Sequence, residues 1–205
     1  MGSLGAIPDF VTTTLLLDQL QDDGNQAAWR EVDERFRGVV LGAARKLGLD
    51  ESDAADVAQE TMVQSIKDLR AGRYDRTRGR LSGWIIAIAH HRITDILRRK
   101  QRGIRDVSQT TLAALPAVES LSVAWSEALR DDLFRRAWER LQAESAQNPG
   151  NIKAFELAVI RGVPAEAVAN ECSMSIEQVY VAKNRVAGKL REIVEQMTKA
   201  YEDGL

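Results

Sequence analysis

Asp53, Asp56, Gln59 and Glu60 recur every three or four residues within DAADVAQETMVQSI. Paired carboxylates can trade protons or hold a divalent metal. The surrounding residues support neither. No histidine lies near them in sequence, no Gly-rich phosphate loop is present, and His90 and His91 are adjacent rather than at ligand spacing. Cys172 has no second cysteine and suits a small buried side chain. These residues argue against an enzyme, a metal site or a bound cofactor. Acids in the first turn of a helix also complement its dipole, so a solvated helix start accounts for them equally well.

A second group of residues has a more definite chemistry. From Arg70 to Arg105 there are eleven Lys or Arg against two acids, a local charge of +9 in a chain whose total is −2. Within it, IIAIAHHRITDILRRKQR opens apolar and ends cationic. On a helix, Ile85, Ile88, Ala89, Ile93, Ile96 and Leu97 share one face, and His91, Asp95, Arg98 and Arg102 share another. A helix dipole would reward one or two cations at the C-terminus. It does not explain Arg98, Arg99, Lys100 and Arg102 together with five arginines from Arg70 to Arg80. Counter-ion release from a nucleic-acid backbone does. Tyr74 and Trp84 lie among these arginines, as aromatics that stack on unpaired bases do, although Trp84 alone reads better as core.

The third group is PAEAVANECSMSIEQVYVAKNRV. It reads as helix, short turn, helix. Pro164 suits a first helical position, and Ser175 with Gln178 forms a capping box. Ala169 is small where the two helices must cross. Val179, Val186, Leu190 and Ile193 make the buried stripe of the second helix, and Gln178, Val181, Asn184 and Arg185 face outward. That is the layout of a helix-turn-helix, whose second helix enters the major groove. An ordinary helical hairpin has the same spacing.

The elements that must carry these groups are all helical, with no period-two strand pattern and no repeat. Thr14 can cap a short helix that Gly24-Asn25 stops. A helix from Ala27 buries Trp29, Val32, Phe36, Val39, Ala43 and Leu47, and Gly48 ends it. The acidic helix, capped by Asp50 or Ser52, runs to about Leu69. A basic loop, RAGRYDRTRGRLSG, leads to a helix that Ser82 caps and Gly103 stops. Residues 103–121 contain Pro116 and lack a period, as a linker would. Helices resume near Ser122, NPGN at 148–151 interrupts them, and a last long helix starts at Ile176. The expected organisation is an N-terminal tail at 1–14, a first helical domain at 15–102, the linker, and a second helical domain at 122–205.

Apolar runs are far too short to span a membrane, and MGSLGAIPDF lacks a secretory or myristoylation signal. A single cysteine fits a reducing cytosol. The expectation is a cytoplasmic protein that does not engage a membrane.

The three groups in this order resemble the bacterial sigma factors of RNA polymerase in their extracytoplasmic-function (ECF) form, over roughly residues 15–100 and 125–196. DAADVAQETMVQSI resembles the family's DAEDxxQExF helix. YDRTRGRLSGWIIAIAHHRITDILRR resembles the loop and helix ending in WLxxIAxNxxxDxxRR. SIEQVYVAKNRVAGKLRE resembles its C-terminal recognition helix. The resemblance implies two all-α domains of the region 2 and region 4 kinds, a core-polymerase partner met at the β′ clamp and the β flap, promoter DNA as the second partner, and room for an anti-sigma factor. It assigns Asp53, Asp56, Gln59 and Glu60 to the clamp. It assigns Tyr74, Trp84, His91, Arg92, Asp95, Arg98, Arg99 and Lys100 to melting and reading the −10 element. Ser175, Gln178, Tyr180, Val181, Asn184 and Arg185 would read the −35 element. His91 stands where the family often has Asn, Glu177 where Gly is common, and Tyr180-Val181 where a more polar pair is usual, so the promoter sequence does not carry over. A helix-turn-helix regulator acting without polymerase is the alternative, and a protein-binding helical adaptor is a third reading.

Overall fold

In the computed structural model, residues 13–20, 25–105, 118–144 and 149–202 are described. Among them the secondary structure is helical: α1 (Thr13–Gln19), α2 (Gln26–Lys46), α3 (Glu51–Arg70), α4 (Leu81–Arg105), α5 (Val118–Glu144), α6 (Pro149–Phe155), α7 (Ala165–Cys172) and α8 (Ile176–Glu202). A 3₁₀ turn at Arg76–Arg78 and a π-helical turn at Glu156–Ile160 complete the order. The expected all-α class is what the chain adopts. The chain divides into two compact units, residues 1–132 with 200–205, and residues 133–199.

Unit 1 is built on α2, α3 and α4, each packing on the others, with α1 against α2. Asn25 caps α2 by accepting from the Ala28 N–H at 3.1 Å. Gly48, at φ +91°, turns the chain out of α2, and Asp50 starts α3 by accepting from the Asp53 N–H at 3.0 Å. The expected apolar stripes enter one core, in which Phe36, Val39, Val57, Met62, Ile85 and Ile93 are fully buried. Leu121, Ala124, Trp125 and Ala128 of α5 join that core. A methyl group at Gly42 would stand 3.0 Å from the Ala128 Cβ, so glycine is what lets α5 approach α2. Ala200 is buried in the same unit, and the Tyr201 ring lies 5.3 Å from that of Phe36. Buried Arg35 donates to the Ala200 carbonyl at 3.2 Å and pairs with Glu31 at 2.7 Å.

Unit 2 has a smaller core in which Ala154, Leu157, Val168, Ala169, Val179 and Ala182 are buried. The Trp138 and Phe155 rings lie 5.5 Å apart. Helix α7 ends at Ser173, which takes a left-handed conformation with φ 55° and ψ 46°.

Several expected boundaries move. Helix α4 starts at Leu81, which puts Ser82 inside it, and passes through Gly103 to Arg105. A glycine costs a helix about 1 kcal/mol, which neighbouring turns can outweigh unless the backbone also turns left-handed. Helix α5 begins at Val118, inside the stretch read as a linker, because its apolar residues belong to the unit 1 core. Pro164 is the residue before α7 rather than its first turn. The last two residues of the expected tail at 1–14 open α1, so Thr14 lies inside that helix rather than capping it. Residues 1–12 of the tail and 106–117 of the linker lie outside the described residues.

Candidate nucleic-acid interface

The basic loop is held by short local bonds. The Asp75 carboxylate accepts from the Thr77 N–H at 2.9 Å and hydroxyl at 2.7 Å, which fixes the 3₁₀ turn. Those bonds hold the Asp75 carboxyl below its ordinary range. Tyr74 donates its hydroxyl to the Gly79 carbonyl at 3.0 Å, and its ring lies 5.3 Å from Trp84 at a 47° tilt. Both aromatics are half-buried at the rim of the unit 1 core. Trp84 is thus neither a free stacking platform nor fully core. A cleft between loop and helix is lined by Tyr74, Trp84, Arg73, Arg78 and Arg80. Arg73 pairs with Asp68 at 2.6 Å, and Arg76 lies 3.5 Å from Asp18.

Along α4, His91, Asp95, Arg98, Arg99 and Lys100 are exposed and Arg92 is half-buried. Arg102 lies in α4, but its side chain is outside the described set. The acids of α3 stand opposite. Asp56, Gln59 and Glu60 are exposed, and Asp53 is half-buried. The structure joins these two groups, which the sequence treats as separate surfaces. Arg92 pairs with Glu60 at 3.2 Å. Lys100 meets Asp50 at 2.7 Å and also Asp53. These pairs raise the Lys100 pKa, first through Asp50 and then Asp53. The Asp50 carboxyl is held below its ordinary range by the Asp53 N–H and then by Lys100. A groove between the helices is therefore lined by Asp53, Asp56 and Glu60 on the α3 wall and by Arg92, Asp95, Arg99 and Lys100 on the α4 wall. Exposed pairs of this kind are individually weak. They leave the acids open to a cationic partner and the cations open to an anionic one.

Unit 2 carries the other group. The Ser175 hydroxyl accepts from the Gln178 N–H at 3.1 Å, and the Gln178 side chain accepts from the Ser175 N–H at 2.8 Å. The capping box thus forms as its residue types require. Val179, Val186, Leu190 and Ile193 are buried. Ser175, Gln178, Tyr180, Val181, Asn184 and Arg185 are all exposed. Tyr180 and Val181 are 53% and 56% exposed, a large apolar surface on this helix. Apolar side chains on such a face can meet thymine methyl groups, Asn184 can meet base edges, and Arg185 can meet base edges or phosphate.

Sequence reasoning missed Asp50 as a partner of Lys100, because the two lie 50 residues apart. It also gave Glu177 no role, although its exposed position in the first turn of α8 puts it on the outward face with Val181. Among the described residues, no helix is long and apolar enough to cross a membrane. Residues 32–103 match the family model for Sigma-70 region 2. That match covers α3, the basic loop, most of α4 and all but the first turns of α2. No curated protein matches the chain.

Proposed function

We propose that the chain is a sigma factor of the ECF kind, which binds core RNA polymerase in the cytoplasm and directs initiation at specific promoters. The observation that carries this reading is the Sigma-70 region 2 match over residues 32–103, the segment holding both the acidic helix and the basic loop and helix. Asp53, Asp56, Gln59 and Glu60 would face a basic surface of the β′ clamp. Arg92, Arg98, Arg99 and Lys100 would hold phosphates at the −10 element, with Tyr74, Trp84 and His91 beside the strand that opens. Helix α8 would read the −35 element as duplex, with unit 2 near the β flap.

The deciding experiment reconstitutes the chain with core polymerase and asks for promoter-specific transcripts. Transcripts from defined start sites support the reading. Duplex binding without any association with core would replace it by a helix-turn-helix regulator. The acidic helix gives a sharper test. Asp56 is exposed, so Asp56→Arg should leave stability within about 0.5 kcal/mol. It should nevertheless weaken core binding, because it sets like charge against the clamp. Wild-type core affinity in a folded Asp56→Arg variant would remove α3 from that interface.

A further inference from the structure

Helix α8 contains an interior glycine that no packing among the described residues explains. Gly188 lies twelve residues past Ile176, mid-helix, and a Cβ there would meet no atom of the described residues within 4 Å. Gly42 and Gly150 are different: at each, an added Cβ would run into a neighbour's side chain. Glycine weakens a helix interior relative to alanine, so an unforced one needs a packing or functional reason.

Its position supplies the reason. At 100° per residue, the buried stripe of Val179, Val186, Leu190 and Ile193 fixes the inward direction of α8. The direction opposite carries Glu177, Val181, Asn184 and Gly188. Arg185 and Arg191, three residues to either side of Gly188, flank it, and both are exposed. Among the described residues neither has a carboxylate partner. Glu192, one turn further on, is the acid nearest along the helix. At 1.5 Å per residue Gly188 lies about 18 Å along the axis from Ile176. A major groove is about 12 Å wide, so a helix whose first turns face the bases leaves the groove near this point, beside a phosphate strand. We propose that Gly188 is a positioning residue for duplex DNA: its missing side chain lets the α8 backbone sit directly against a phosphate that Arg185 and Arg191 hold from either side. This rests on the reading of α8 as the −35 helix.

The test uses the full chain with Gly188→Ala and Gly188→Gln, beside Arg185→Ala. The probe is a duplex selected from a random-sequence pool by the wild-type chain. Both glycine variants should melt a few degrees higher, because the helix gains a better former. Both should bind the duplex more weakly, Gly188→Gln by at least about tenfold. A merely structural glycine would show the thermal gain without the affinity loss. Weakened binding by Arg185→Ala with wild-type binding by Gly188→Gln overturns the role of Gly188 alone. Wild-type binding by all three, or a pool that yields no preferred duplex, overturns α8 as the DNA-reading helix.

Discussion

At the level of single side chains, Asp50 does two things. It caps α3, and it receives Lys100 from α4. Its folded pKa is depressed, so its contribution is complete above the ordinary carboxylate range near pH 4 and is lost as pH falls through the folded value. Asparagine caps as well but does not titrate. Asp50→Asn should therefore flatten the acid limb of a plot of Tm against pH below about pH 4, and parallel curves for variant and wild type would refute this. Tyr74 also splits cleanly. Tyr74→Phe keeps the ring on Trp84 and loses only the bond to Gly79, whereas Tyr74→Ala loses both. The alanine variant should lose about 1–2 kcal/mol in denaturant titration, and phenylalanine less than 1 kcal/mol. If Tyr74→Ala also opens promoters as well as wild type, by 2-aminopurine fluorescence, the tyrosine serves the loop and not a base. The Ser175–Gln178 box was legible in sequence because its partners are three residues apart. The Lys100–Asp50 and Arg92–Glu60 pairs were not, since only the packing of α3 on α4 brings them together.

Among the elements, the turn between α7 and α8 holds its own tension. Ser173 is the one described non-glycine residue with a positive φ, at a helix end where glycine is the usual solution. An L-residue in that conformation costs roughly 1–2 kcal/mol. Ser173→Gly should raise the stability of unit 2 by about 1 kcal/mol, read by chemical denaturation. No gain would mean that the serine has a compensating bond. The crossing of α2 and α5 makes the opposite demand. Gly42→Leu has no room beside Ala128 and should destabilise unit 1 by about 1–3 kcal/mol or more. The helices themselves were legible from apolar periodicity. Their ends were less so. Gly103 reads as a stop but lies inside α4, and residues 118–121 read as linker but belong to α5, because Leu121 has a core to enter.

On the scale of the whole chain, the two units do not follow one another in sequence. Unit 1 takes residues up to 132 and then 200 onward, and unit 2 takes what lies between. The sequence suggested a simple succession, with a linker at 103–121, because composition along a chain says nothing of which distant segment completes a core. A fragment ending at residue 105 should therefore unfold at lower denaturant than one ending at 132, since Leu121 and Trp125 bury themselves in unit 1. Equal midpoints would show that α5 adds nothing to it. The return of Ala200 and Tyr201 to Phe36 and Arg35 has a consequence for how the molecule is made. Translation runs at about 5–20 residues per second, so roughly 5–20 s separate the emergence of residue 103 from that of residue 200. For that interval the nascent chain carries the acidic helix and the basic loop and helix on a core still missing its last pieces. A chain released in between presents that incomplete core to proteases.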